Sequence, residues 1–357
     1  MKLSLIGAFL SSLGIAMMMI PSIIKVAEQK KLFDVPHSRR AHKTSTPTLG
    51  GVSFFAGFLL SFLFWIGSHP FPELRYIICS IIILFFVGMK DDILHTVHYK
   101  KLLGQIIAAA IILHWGGVRL TSFYGLFGVY DIPTWLSYGV TLITIVGITN
   151  SFNFIDGIDT LAGLMGLIST AFFGVWFLAY GFHAWSMLAF SLTGSIIGFL
   201  FYNRTPARIF MGDTGALILG IICSVMAIKF IEINKVHTFV RSAPTIALVV
   251  LIVPVFDSLR VICIRLYARA NPFQADRNHL HHLVTDLGFS HMQCAGFLGS
   301  FNILAIVFVY NQQNFGEHFG LVQWSAELLL LFVFLGLGGV SYGLSDLRRR
   351  KGVGDGR

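Results

Sequence analysis

The run Leu74–Asp92, LRYIICSIIILFFVGMKDD, decides which solvent this chain folds in. It is apolar over nearly the whole of the roughly 20 residues that a helix needs to cross a bilayer, and it ends on two adjacent carboxylates. Apolar stretches of the same kind recur near 3–24, 49–67, 102–115, 135–150, 162–180, 185–202, 214–231, 243–262, 293–311 and 323–343. With 74–89 they predict an all-α integral membrane protein of about 11 transmembrane helices, a single polytopic domain over residues 1–357. The first stretch has no small-residue cleavage site before Lys25 and reads as an anchor rather than a signal peptide. The segment from Gly116 to Trp135 is apolar but rich in glycine and turn residues, and is expected at the interface.

Composition agrees. Hydrophobic residues make up 55% of the chain and charged ones 12%, against about 25% charged in a soluble domain. The net charge of +9 does not mark a nucleic-acid binder, because the basic residues are scattered over short loops rather than gathered on one soluble face. Of 26 Lys and Arg, 20 fall in loops at about 25–48, 90–101, 203–214 and 260–292 and in the basic tail 344–357. Positive residues collect in cytoplasmic loops, so the N-terminus is expected outside and the C-terminus in the cytoplasm. The run Arg348–Lys351 is expected to stop the last span and meet lipid headgroups. Four cysteines without a CxxC spacing read as buried thiols.

The acids sort to the same side, which places the expected active site at the cytoplasmic face. Asp91 and Asp92 repel each other unless a cation compensates them, and hard oxygen ligands suit magnesium or manganese held between one or two carboxylates and substrate phosphates. In the loop at about 150–161, Asn150, Asn153, Asp156 and Asp159 are spaced by three and would share one helix face. Such a row is costly in an apolar neighbourhood unless it lines a wet site. Asp213 and Thr214 precede the eighth span, where either could cap the helix or Asp213 could hold a metal. The fifth loop joins Arg260, Arg265, Arg269 and Arg277 to His279, His281 and His282, a set suited to phosphate oxygens. Asp257 reads as marking a kink or pairing with Arg260, one turn on. Lys43 and Thr48, before a glycine pair, are further phosphate candidates.

Taken together, these segments resemble the polyprenyl-phosphate N-acetylhexosamine-1-phosphate transferases of glycosyltransferase family 4, in the same order over about residues 30–290. The loop NPFQADRNHLHH is similar to that of the type which initiates enterobacterial common antigen and O-antigen. The resemblance implies transfer of N-acetylglucosamine 1-phosphate from UDP-N-acetylglucosamine to undecaprenyl phosphate, releasing UMP and beginning a cell-surface polysaccharide. It implies magnesium (or manganese) on Asp213 and Asp156, with Asp91, Asp92, Asp159 and His279 at the catalytic centre. It also puts Phe210 against the uracil, and Lys43, Thr48, Asn150, Asn153, Asn203, Arg265, His281 and His282 around the substrate. The partners implied are a UDP-sugar, the lipid acceptor, membrane lipids and, by analogy with relatives, a second copy of the chain. A different UDP-N-acetylhexosamine donor is the alternative within the class. A transporter would carry its polar residues near mid-membrane rather than at one face.

Overall fold

Every stretch expected to cross the membrane is helical in a computed structural model of the chain, which describes residues 2–30, 33–34, 46–67, 71–94, 96–271, 278–315 and 324–350. The long helices are α1 (Lys2–Lys30), α2 (Gly50–Trp65), α3 (Leu74–Leu94), α4 (His98–His114), α5 (Thr134–Ile155), α6 (Leu161–Ala179), α7 (His183–Asn203) and α8 (Gly212–His237). They are followed by α9 (Ala243–Val250), α10 (Ile252–Tyr267), the short α11 (Leu280–Asp286), α12 (His291–Phe315) and α13 (Ala326–Arg350). Phe33–Asp34 pairs antiparallel with Thr46–Pro47 in a two-residue ladder, the one departure from helix among the named elements of the described residues. Among the described residues, seven helices are long and apolar enough to span a bilayer, or eight if the bent pair α9 and α10 counts as one. The molecule is therefore an integral, all-helical membrane protein.

Helix α8 is its axis. It packs against α2, α3, α5, α6 and α9 and is buried around nearly its whole circumference, as an apolar helix at the centre of a bundle must be. The peripheral α1 and α13 turn Leu3, Met18, Leu335 and Tyr342 outward. Such apolar surface is tolerated where the surroundings are lipid.

Close approach to α8 depends on glycine. A Cβ on Gly88 of α3 would lie 2.5 Å from the Cα of Thr214, and one on Gly51 of α2 would lie 2.3 Å from the backbone N of Gly215. Lipid supplies little hydrophobic force between helices, so such backbone contact is a principal source of packing energy.

Several expectations change in detail. Helix α3 continues to Leu94, so Asp91 and Asp92 sit within its last turn rather than beyond its end. The stretch 243–262 is broken by a 79° bend at Leu251. Pro254 lies in the first turn after the bend, where it cannot donate to the carbonyl four residues back. Segment 116–133 is tied to the far end of α8. There Thr121 donates from its backbone N and Oγ1 to Glu232 at 2.7 and 2.8 Å, and Lys235 pairs with Asp131 at 2.7 Å. Cys223 and Cys294 are buried as expected, but Cys79 and Cys263 are exposed, because each sits on the outer side of a peripheral helix. Arg348 turns inward to Asp286 at 2.9 Å, fastening the end of α13 to α11 instead of reaching only toward headgroups.

Gly88→Val is expected to destabilise the bundle by about 1–3 kcal/mol through overpacking. Thermal unfolding in detergent should drop by several degrees, whereas Gly338→Ala, with open space around the added methyl, should leave it unchanged.

Candidate active site

Four helix ends converge at one end of the bundle: the C-terminal turns of α3 and α5 and the N-terminal turns of α4 and α8. Successive residues on a helix point about 100° apart, so neighbouring Asp91 and Asp92 serve different partners. The Asp92 carboxylate reaches the start of α8. It accepts from the backbone N of Asp213 at 2.7 Å and of Thr214 at 3.0 Å, and from Thr214 Oγ1 at 2.6 Å. Neither Asp213 nor Thr214 caps α8 with its own side chain; a carboxylate from another helix does so and also meets the positive end of the helix dipole. Asp91 instead accepts from Thr96 through its backbone N at 2.6 Å and its Oγ1 at 2.7 Å.

Lys101 lies at the centre of the acids. Its ammonium donates to Asp213 Oδ2 at 2.5 Å and to Asn153 Oδ1 at 3.0 Å, and lies 3.4 Å from Asp91 Oδ2. Asn153 closes the node by donating from Nδ2 to Asp213 Oδ1. Lys101 is only 8% exposed. A buried cation with several acids is stable because each charge is answered at hydrogen-bond distance. Sequence reasoning missed this residue, counting it only among positive loop residues. Its signal was the polar pair Lys101 and Gln105, four apart on an otherwise apolar helix.

The polar row on α5 divides. Asn150 exchanges hydrogen bonds with Gln105, at 2.6 Å as donor and 3.2 Å as acceptor, and so joins α5 to α4. Asn153 faces the node. Asp156 ends the helix, and burial together with the charges of Asp213 and Asp92 pushes its carboxyl well above the usual carboxylate range. The chain then turns, with Thr160 at φ +74°, so Asp159 leaves the shared face and its Oδ2 lies 3.3 Å from His291 Nδ1. The four residues thus share one helical face only as far as Asp156. His291 was not singled out from sequence; it opens α12 and carries no motif.

Asn203 accepts from the backbone N of Thr160 at 2.7 Å and donates to the Ile209 carbonyl at 2.8 Å, which fixes this turn and the approach to α8. Phe210 and Thr48 lie beside it. The backbone N of Phe210 donates to the Pro47 carbonyl at 2.7 Å, and the Thr48 carbonyl rests against Gly212, which takes φ +71° where any Cβ would collide.

The histidines arrive on α11. His279 stands at its N-terminus, with its ring 5.9 Å from Phe154 and 5.6 Å from the stacked ring of His281. His281 is buried with no partner for either ring nitrogen among the described residues, and burial lowers its pKa well below the usual value. Its Nε2 packs against Gly157, where a Cβ would come within 2.4 Å. His282 is half-buried, with its ring 4.2 Å from that of His281. Arg265 is buried in the last turn of α10. Lys43, Asp276 and Arg277 lie outside the described residues. The structure thus brings together Asp91, Asp92, Asn153, Asp156 and Asp213. It places Asn150, Asn203 and Asp159 in contacts that shape the surrounding turns.

The sequence profile of Glycosyl transferase family 4 matches residues 74–231, the segment that carries all of these acids. A Bacillus subtilis (strain 168) protein named a probable undecaprenyl-phosphate N-acetylglucosaminyl 1-phosphate transferase is 30% identical over 312 residues, 85% of this chain and 84% of that protein. Proteins named undecaprenyl-phosphate alpha-N-acetylglucosaminyl 1-phosphate transferase are also similar. That of Salmonella typhi is 29% identical over 275 residues, covering 75% of this chain and 73% of its own length. That of Escherichia coli O157:H7 is 27% identical over 323 residues, covering 87% and 84%. With its helical membrane architecture and the acid cluster inside the matched segment, the chain belongs to glycosyl transferase family 4, the polyprenyl-phosphate N-acetylhexosamine-1-phosphate transferases.

Proposed function

We propose that the protein transfers N-acetylglucosamine 1-phosphate from UDP-N-acetylglucosamine to undecaprenyl phosphate, as the first step in building a cell-surface polysaccharide. The observation that carries this reading is the buried ammonium of Lys101 among Asp213, Asp91 and Asn153, with Asp156 beside them. The names of the relatives support the donor and the acceptor. The apolar stretches support about eleven crossings, the loop charge supports an outer N-terminus and a site facing the cytoplasm, and the bacterial relatives support the inner membrane.

In the reaction, an oxygen of the lipid phosphate forms a bond to the β-phosphorus of the nucleotide-sugar. The bond from that phosphorus to the bridging oxygen breaks, and UMP leaves with the oxygen and its charge. The obstacle is repulsion between a diphosphate and a phosphate monoester. Lys101 supplies positive charge in a low-dielectric site, where it acts strongly on both. Asn153 holds Asp213 in place through its amide. The acceptor's second pKa is near about 6, so it arrives largely as a dianion and needs little from a base. Asp91 or Asp92 is the candidate for that help; each already accepts hydrogen bonds, Asp91 from Thr96 and Asp92 from the start of α8.

The donor set fits magnesium or manganese. Asp156 and Asp213 are hard oxygen ligands whose charges oppose each other until a cation joins them. Among the described residues no three His, Cys, Asp or Glu side chains form a cage, so such an ion would need phosphate oxygens and water to complete its shell. Such an ion, held by Asp213 and Asp156, would neutralise the charge that develops on the leaving phosphate. Phe210 is assigned to the uracil; Lys43, Thr48, Arg265, His279, His281 and His282 are assigned to the phosphates and sugar.

UMP release by the purified chain, given both substrates in detergent, is expected to require magnesium, to stop with EDTA and to fall at least about 100-fold in Asp213→Asn. Absence of release with this donor but release with another UDP-N-acetylhexosamine would move the reading to that sugar. Lys101→Met should lower kcat by a comparable factor and also reduce the melting temperature, because two carboxylates lose their shared cation. A third outcome follows from Asp156. Its raised pKa means the fold favours the protonated acid, and that contribution is lost as pH rises through the raised value. Asp156→Asn is therefore expected to raise the melting temperature of metal-free protein at neutral and alkaline pH, a gain that should shrink as pH falls into the ordinary carboxylate range.

A further inference from the structure

Asp257 is buried in α10, 2% exposed, nearly two turns beyond the bend that turns this helix away from α9. A carboxylate in that position must be answered by donors or it destabilises the fold. It has three. His279 Nδ1 lies 2.8 Å from Oδ2, the backbone N of Leu280 donates to Oδ1 at 2.9 Å, and Arg260 Nη2 donates to Oδ1 at 3.0 Å. Arg260 Nη2 also donates to the Asn278 carbonyl. The carboxylate and its arginine thus grip three consecutive residues, Asn278, His279 and Leu280, at the point where the chain enters α11.

The grip has a chemical direction. A carboxylate opposite a ring nitrogen accepts a proton held there, which sets the tautomer and the ring orientation. With the Nδ1 proton committed to Asp257, Nε2 is the ring nitrogen left for a substrate. The ring itself is flanked by Phe154 at the end of α5 and by His281, whose Nε2 packs on Gly157, next to Asp156. The pairing therefore holds an imidazole beside the C-terminal turn of α5, which leads into Asp156.

We propose that Asp257 is the positioning residue of the histidine loop, fixing His279 through Nδ1 so that Nε2 is presented to the diphosphate of the nucleotide-sugar. This rests on the reading that the loop meets that diphosphate. Asp257 itself touches no reacting atom; it acts through His279.

The test is a double-mutant cycle on the full chain in detergent, with UDP-N-acetylglucosamine and undecaprenyl phosphate, reading kcat and both KM values. Asp257→Asn is expected to lower kcat roughly 10- to 100-fold, the usual effect of removing the carboxylate partner of a functional imidazole. The KM for the lipid acceptor should stay within about two-fold. In a His279→Ala background the same change should cost less than about two-fold, because the group it acts through is gone. An equal loss in both backgrounds would overturn the proposal and leave the role of His279 intact. Full activity in His279→Ala alone would remove the reading of the loop, and the proposal with it. If Asp257→Asn does not fold, Asp257→Glu serves the same cycle. It is expected to give a smaller loss that again vanishes without His279, and a loss that persists there would overturn the proposal.

Discussion

The ammonium of Lys101 is the interaction on which the rest of the site depends. Four helix ends carry polar groups into an apolar bundle, and each would be costly to bury alone. One cation bonded to Asp213 and Asn153 and close to Asp91 satisfies three of them at once and draws α3, α4, α5 and α8 to a common point. Asp92 completes the junction by capping α8 from α3. Glycines at 51 and 88 let the backbones come near enough for these bonds to form. The same features that hold the helices together also concentrate charge where anionic substrates must be brought together.

The proposed reaction accounts for a polar cluster at an end of the bundle rather than inside it. A nucleotide-sugar comes from water and a polyprenyl phosphate from the lipid phase, so only an interfacial site serves both. The α8 N-terminus contributes its dipole there, and α10 carries Arg265 while α11 brings His281 against Gly157 beside Asp156.

Much of the fold was legible because hydrophobic run length is a direct physical requirement of the bilayer, and helices occupy all of the stretches so marked. The acids were legible for the opposite reason: Asp91, Asp92, Asp156 and Asp213 are conspicuous in an apolar chain. What escaped were pairings between distant spans. Lys101 looked like one more positive loop residue, and nothing in its neighbours reveals that Asp213, 112 positions away, will meet it. Asp92 gives no local sign that it caps a helix beginning 120 residues later. The partners of Asn150 and Asn203 within the fold, Gln105 on α4 and the turn at Thr160, were likewise out of reach of the local sequence. Asp257 was legible only in part; Arg260, three residues on, was its visible partner, while His279 is 22 residues away.

The most direct test of the central claim is an experimental structure of the full chain with UDP-N-acetylglucosamine and magnesium bound. The account predicts the diphosphate within hydrogen-bond reach of Lys101 Nζ and the metal on Asp213. A diphosphate bound elsewhere, with the Lys101–Asp213 pair intact and no ion beside it, would contradict it.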